Sequence, residues 1–391
     1  MPSPQAPQPP SSPLSTPELI PGLAGIPAAE SSISFIDGQE GILAYRGHRI
    51  EVLAEHSTFE ETTYLLWNAK LPTQAELDAF KRELTPHYHL PDELLAALRA
   101  LPAGGHPMAA LQAMMPMLRM VSPVCDLKDP ASRHQTALCV LAAMPILIAA
   151  FERVRRGKEI IAPDPELSVA GNFLWCLNGE KPDAIEERIL DCALVLHAEH
   201  TMNASTFACR VVASTETDAY TAVSGAVGTL FGPLHGGANE RVLEQLEAIG
   251  GADNAQAWFQ AQVAKKAKVM GMGHRVYKTK DPRARALQLL AKELFAARGT
   301  TELYATALEL EKIGAEVFGV RGIWPNVDFF SGIVYQKLGI PTDVFTPIFA
   351  LARTAGWLAH WREQMRDNKL FRPGQIYTGV HDAPWVPIED R

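Results

Sequence analysis

The stretch AIEERILDCALVLHAEH, residues 184–200, repeats its apolar residues at helical period and shows no strand-like alternation. QAELDAFKREL from Gln74 and IFALARTAGWLAHW from Ile348 read the same way. Pro107, Gly157, Gly171, Gly232, Pro282 and Pro341 punctuate such stretches, which predicts roughly a dozen or more helices. The exception is SISFIDGQEGILAY, where Ile33, Phe35, Ile42 and Tyr45 flank an Asp37-Gly38 turn and predict a small β-hairpin. The expected class is therefore all-α with one N-terminal hairpin. No internal repeat of fixed period is present.

Composition excludes several functions. The net charge of −8 opposes nucleic acid as main partner, because phosphate binding needs a positive field. The basic run Arg153, Arg155, Arg156, Lys158 reads as a solvated helix end. The longest apolar run, Ala137–Phe151, is shorter than the about 18 residues of a membrane span and contains Pro145. It predicts a kinked core helix and no membrane association. Five irregularly spaced cysteines read as buried thiols in a reducing compartment. The first 17 residues hold seven prolines and no Lys or Arg, which predicts a disordered or polyproline tail, neither secretory nor transit peptide. A cytoplasmic protein is expected.

Three polar loops interrupt the apolar pattern: FGPLHGGAN (231–239), GMGHRVY (271–277) and PNVDFFSG (325–332). Loops carry function more often than core does. His235 precedes an expected helix start, where the dipole disfavours positive charge, so its imidazole should stay neutral and able to donate to an oxyanion. The alternative is a capping histidine. His274 is followed by Lys278, Lys280, Arg283 and Arg285, a density suited to an anionic ligand or, alternatively, to a solvated helix start. Asp328 lies between Val327 and Phe329-Phe330; apolar surroundings would raise its pKa and make it a base. The alternative is a helix N-cap. His197 and His200, at i and i+3, would share a helix face and offer two metal ligands, with no carboxylate–histidine pair to complete a site.

One base, two histidines and several arginines suggest a reaction by role. Asp328 would remove a proton alpha to a carbonyl, His235 would stabilise the enolate oxygen, and His274 would protonate a second carbonyl under attack. A carboxylate near its reference pKa of about 3.9 is too weak a base to act unaided, so the hydrogen bond to the enolate must supply much of the stabilisation.

The segments ISFIDGQEGILAYRG, LHAEHTMNAST, FGPLHGGANE, GMGHRVYKTKDPRA, PNVDFFSG, FTPIFALARTAGWLAHWRE and RPGQIYTG together resemble citrate synthases, in family order from about Gly22 to the end. The resemblance implies condensation of acetyl-CoA with oxaloacetate and water through citryl-CoA, with catalytic His235, His274 and Asp328. It implies oxaloacetate binding by His200, Arg283, Arg353 and Arg372, the last acting across a homodimer interface. Lys278 stands where the family often has an arginine for a CoA phosphate. No metal or cofactor is implied; acetyl-CoA is a co-substrate. The implied organisation is a tail over 1–17, a large helical domain over 18–225 and 336–391, and a small helical domain over 226–335. The form expected from the resemblance is the short one, without the NADH-sensing N-terminal domain of longer members. A 2-methylcitrate synthase using propionyl-CoA and a non-catalytic helical assembly protein are the competing readings.

Overall fold

A computed structural model describes residues 18–391; the expected tail over 1–17 lies outside the described residues. Sixteen α-helices, six short 3-10 turns and one small sheet make up the regular structure there. Residues Ser31–Leu370 form one compact unit. Residues 18–30 and Phe371–Arg391 group separately, and their regular structure is the short 3-10 turns Pro21–Leu23 and Ile388–Asp390.

The expected hairpin is β1 (Ser34–Asp37) paired antiparallel with β2 (Ile42–Tyr45). Asp37 makes the turn: its Oδ1 accepts from the N–H groups of Gln39 and Glu40. A two-residue third strand, β3 (His48–Arg49), pairs with β2 beyond Arg46 and Gly47, which both have positive φ, as a tight primed turn requires.

Helix ends follow local chemistry. Gln74–Leu84 and Ala184–His197 each begin with a reciprocal capping box, Thr73 with Glu76 and Asp183 with Glu186. Pro107, Pro130 and Pro282 each take the first helical position, where a missing N–H costs nothing. Gly171 breaks no helix; it lies inside Val169–Asn178, where its amide serves the Ser168 cap.

The core is built on two long buried helices. Pro130–Arg155 runs through Pro145 as one helix. It is long and apolar enough to cross a membrane, but 83% of its most apolar window is buried inside the protein. Its basic end is more structured than expected: Arg155 pairs with Glu152 and Asp343, and Arg156 with Glu152. In Phe345–Gln364 every residue from Phe345 to Trp361 is buried, including Arg353 and His360. A buried charge needs partners, so those two polar residues point to a site.

Candidate active site

The GMGH and PNVD loops are joined by backbone bonds. The Gly273 N–H donates to Trp324 O at 2.8 Å and the Asn326 N–H to Gly271 O at 2.9 Å, around a Met272–Pro325 bridge. Asn326 completes the seam, donating through Nδ2 to Gly273 O (2.9 Å) and accepting at Oδ1 from the Asp328 N–H (3.0 Å). Gly271 must be glycine here: its φ is +77°, and a Cβ would lie 2.8 Å from the Phe329 ring.

Asp328 is the first residue of helix Asp328–Lys337, whose N-cap is Val327 and makes no side-chain cap bond. The carboxylate is therefore free of the capping role. The residue is partly buried, and its Oδ1 is enclosed without a hydrogen-bond partner. Burial pushes its pKa up to about 7, against the opposing fields of Arg283 and Arg353.

His274 Nδ1 accepts from the N–H groups of Val276 (3.0 Å) and Tyr277 (3.2 Å). Amides can only donate, so the neutral ring carries its proton on Nε2. Burial, then Arg283, lowers its pKa to about 4. His235 Nε2 lies 2.9 Å from Ser205 Oγ and accepts from the Ser205 N–H at 3.3 Å, which places its proton on Nδ1. Its pKa falls to about 4 through burial and then Arg353. Burial and the Arg353 cation both favour the neutral ring, and His235 lies three residues before helix Ala238–Ile249.

His200 lies in the bend after helix Ala184–His197, its Nε2 3.2 Å from Tyr277 Oη and its ring 5.4 Å from that of His274. Burial, Arg283, His274, Arg353 and His235 all push its pKa well down, so these groups converge on one place. His197 is the last residue of its helix, bonds Ala193 O through Nδ1, and packs on Phe349, so the two histidines do not share a helical face. Among the described residues no three metal-ligating side chains cluster.

Arg283 is buried and doubly bonded to Asp281, Nε to Oδ1 at 3.1 Å and Nη2 to Oδ2 at 2.8 Å. Arg353 donates through Nε to His197 O at 2.7 Å and lies 4.7 Å over the Phe349 ring. Burial draws its pKa down to about 10. A cavity of about 410 Å3 opens beside these groups, lined by 267–275, Ala238, Phe318, Ile323 and Asn326. Its basic residues are Lys268 and Arg275, whereas Lys278 is exposed and its amide ties the loop to Gly38 O in the hairpin turn. Arg372 is exposed on the irregular C-terminal segment.

A family model described as citrate synthase, C-terminal domain, matches residues 22–374. The chain belongs to the citrate synthase family. Citrate synthase of Synechocystis sp. is 51% identical over 370 residues, 95% of this chain and 93% of that protein. Citrate synthase of Acidithiobacillus ferridurans is 45% identical, covering 97% of this chain and all of that one. Among solved structures, citrate synthase from Thermotoga maritima superposes with a TM-score of 0.85 at 41% identity, covering 95% of this chain and 99% of that chain. The ternary complex of carboxymethyl coenzyme A and oxaloacetate with citrate synthase from Thermoplasma acidophilum superposes with a TM-score of 0.90 at 33% identity, covering 96% of this chain and 100% of that chain. Citrate synthases are acyltransferases, and this chain is an enzyme of that class.

Within this citrate synthase site, sequence reading missed Ser205, Tyr277, Asp281 and Asn326. Only Asp281 had a local signal, since an Asp directly before Pro282 is a helix-start pattern. The buried histidines also set an acid limit on stability. His235 and His274 titrate near 4, His197 near 3 and His200 well below its usual value. Unfolded imidazoles take up protons near about 6.5, so between that pH and about 4 the unfolded state binds more protons and stability falls as pH falls. Asp328 and Asp191, whose pKa values burial raises, act in the opposite direction, against these four histidines and the lowered carboxyls of Glu199 and Glu363. The urea midpoint will therefore drop from pH 6.5 to pH 4.5; a flat or rising midpoint across that window would contradict it.

Proposed function

We propose that this chain makes citrate by using Asp328 as base, His235 as enolate donor and His274 as acid. Asp328 takes a methyl proton from acetyl-CoA, and the enolate oxygen accepts a hydrogen bond from His235 Nδ1–H. The methylene carbon then attacks the keto carbon of oxaloacetate, whose oxygen takes the proton of His274 Nε2–H. Water hydrolyses the citryl-CoA to citrate and CoA. The observation that carries the assignment is the division of protonation states. One carboxylate raised to about 7 and two imidazoles lowered to about 4 share the fields of Arg283 and Arg353, and each imidazole has one nitrogen occupied by backbone amide and the other bearing a proton.

His200, Arg283 and Arg353 hold the oxaloacetate carboxylates and carbonyl, joined by Arg372 from a second subunit of a homodimer. The cavity along 267–275 takes the CoA arm, with Lys268, Arg275 and Lys278 available to its phosphates. A small domain over 226–335 closes on the large one when oxaloacetate binds. No cofactor is assigned, and the free thiols suit a cytoplasmic setting.

Steady-state turnover with oxaloacetate and either acetyl-CoA or propionyl-CoA tests this. We expect kcat/KM for acetyl-CoA to exceed that for propionyl-CoA by about tenfold or more, the discrimination one methylene supports in a fitted pocket. The reverse preference would make the chain a 2-methylcitrate synthase, and no turnover of either would overturn the roles assigned to Asp328, His235 and His274.

A further inference from the structure

Glu199 has no part in the chemistry above, yet it is a fully buried carboxylate next to His200. Its Oε1 accepts from Ser34 Oγ at 2.9 Å and from His360 Nε2 at 3.1 Å. The roles are fixed from the far side: Arg210 Nη1 donates to His360 Nδ1 at 3.1 Å, so Nε2–H is the donor that His360 gives to Glu199. Arg210 is itself matched by Glu363, at 2.8 Å. Glu199 Oε2 is enclosed without a partner. Gly356, midway along helix Phe345–Gln364, makes room for it, because a Cβ there would lie 2.3 Å from that oxygen. Burial pushes the Glu199 pKa up, but His360, Arg353 and Ser34 together hold it below its usual value, so the group is charged.

Among the charges around Arg353, Glu199 acts most strongly, ahead of Tyr45, Arg283 and Asp328. It does so through its field. The guanidinium is oriented by His197 O and the Phe349 ring. Arg283 carries its own counter-charge in Asp281. Both arginines assigned to the dicarboxylate are therefore balanced before any ligand arrives. A fixed negative charge behind an anion site opposes each ligand in proportion to that ligand's charge. Oxaloacetate enters as a dianion, and citrate leaves as a trianion.

We propose that Glu199 is a charge-balancing residue that weakens the hold of this site on its trianionic product more than on its dianionic substrate. The proposal rests on the oxaloacetate reading of the site. Its measure is the ratio of the citrate inhibition constant, competitive with oxaloacetate, to the oxaloacetate dissociation constant, taken on the intact enzyme. In Glu199→Gln both ligands bind more tightly and the ratio falls by about threefold or more, since removing one charge relieves the trianion more. Glu199→Asp keeps the charge and leaves the ratio within about twofold of wild type, whatever its absolute affinities. A packing role predicts the opposite sign, with weaker binding in both variants. An unchanged ratio in a folded Glu199→Gln, or an equal fall in Glu199→Asp, overturns the proposal. If Glu199→Gln does not fold, Glu199→Met removes the charge at similar volume; if neither folds, the carboxylate serves folding and the proposal fails. Wild-type enzyme that binds neither oxaloacetate nor citrate overturns the functional reading, and this proposal with it.

Discussion

Asp328→Asn will fold, bind oxaloacetate and make almost no citrate. The amide keeps the shape of the carboxylate and loses its basicity. A positioned general base contributes about 10² to 10⁴ in rate, so kcat should fall by about a thousandfold or more. Oxaloacetate affinity should survive, because His200, Arg283 and Arg353 are untouched. The raised pKa supplies a second, independent readout. Asp328 titrates near 7 when folded, against a usual 3.8, so the folded state binds more protons between those values. The stability from that bound proton is full at low pH and is lost as pH rises through about 7. The Asn variant cannot lose it. It should therefore melt above wild type at pH 8, and the difference should shrink as the pH is lowered toward 5. Wild-type activity should show an acid limb near the same pKa that no pH restores in the variant. Citrate production within a few-fold of wild type would refute the role of Asp328.

How much of this was legible beforehand depends on how local the cause is. Gln74–Leu84 is bounded by the periodic stretch and by Thr73 and Glu76, all within a dozen positions of one another. The hairpin turn is likewise set by Asp37 itself, whereas the two residues of β3 are too short a run to show alternation. His235, His274 and Asp328 could be picked out because each interrupts apolar sequence with glycine or a charged group. Their working state could not. The His235 tautomer depends on the Ser205 amide, and the Asp328 loop on Asn326 reaching back to Gly273. The clearest case is Phe345–Gln364, which reads as an apolar core helix. Its stripe of Arg353, Gly356 and His360 gains meaning only when Glu199 and His197 arrive from another part of the chain. Local patterns predicted helices and loops; long-range contacts decide which nitrogen carries a proton.

Arg372 supplies the other large effect, and it tests the assembly as well as the site. In its own chain Arg372 is exposed, on residues without regular structure that follow Leu370. Pro373 disfavours helix at Arg372, and Gly374, Pro384 and Pro387 keep the segment from becoming one. An extended segment of roughly 20 residues at about 3.3 Å each reaches tens of Å, enough to cross a two-fold interface. If Arg372 completes the oxaloacetate site of a neighbouring subunit, Arg372→Ala will lose substrate affinity, and dilution to monomers will abolish wild-type activity. The decisive experiment mixes Arg372→Ala with Asp328→Asn. In a mixed dimer acting in trans, one site has both lesions and the other has none. Random exchange at equal amounts makes half the dimers mixed, so activity should return to about a quarter of the wild-type rate from two nearly inactive parents. If Arg372 acts within its own chain, each subunit keeps its own lesion and mixing restores nothing. Exchange verified by mass, with no recovered activity, would place Arg372 in cis or outside the site.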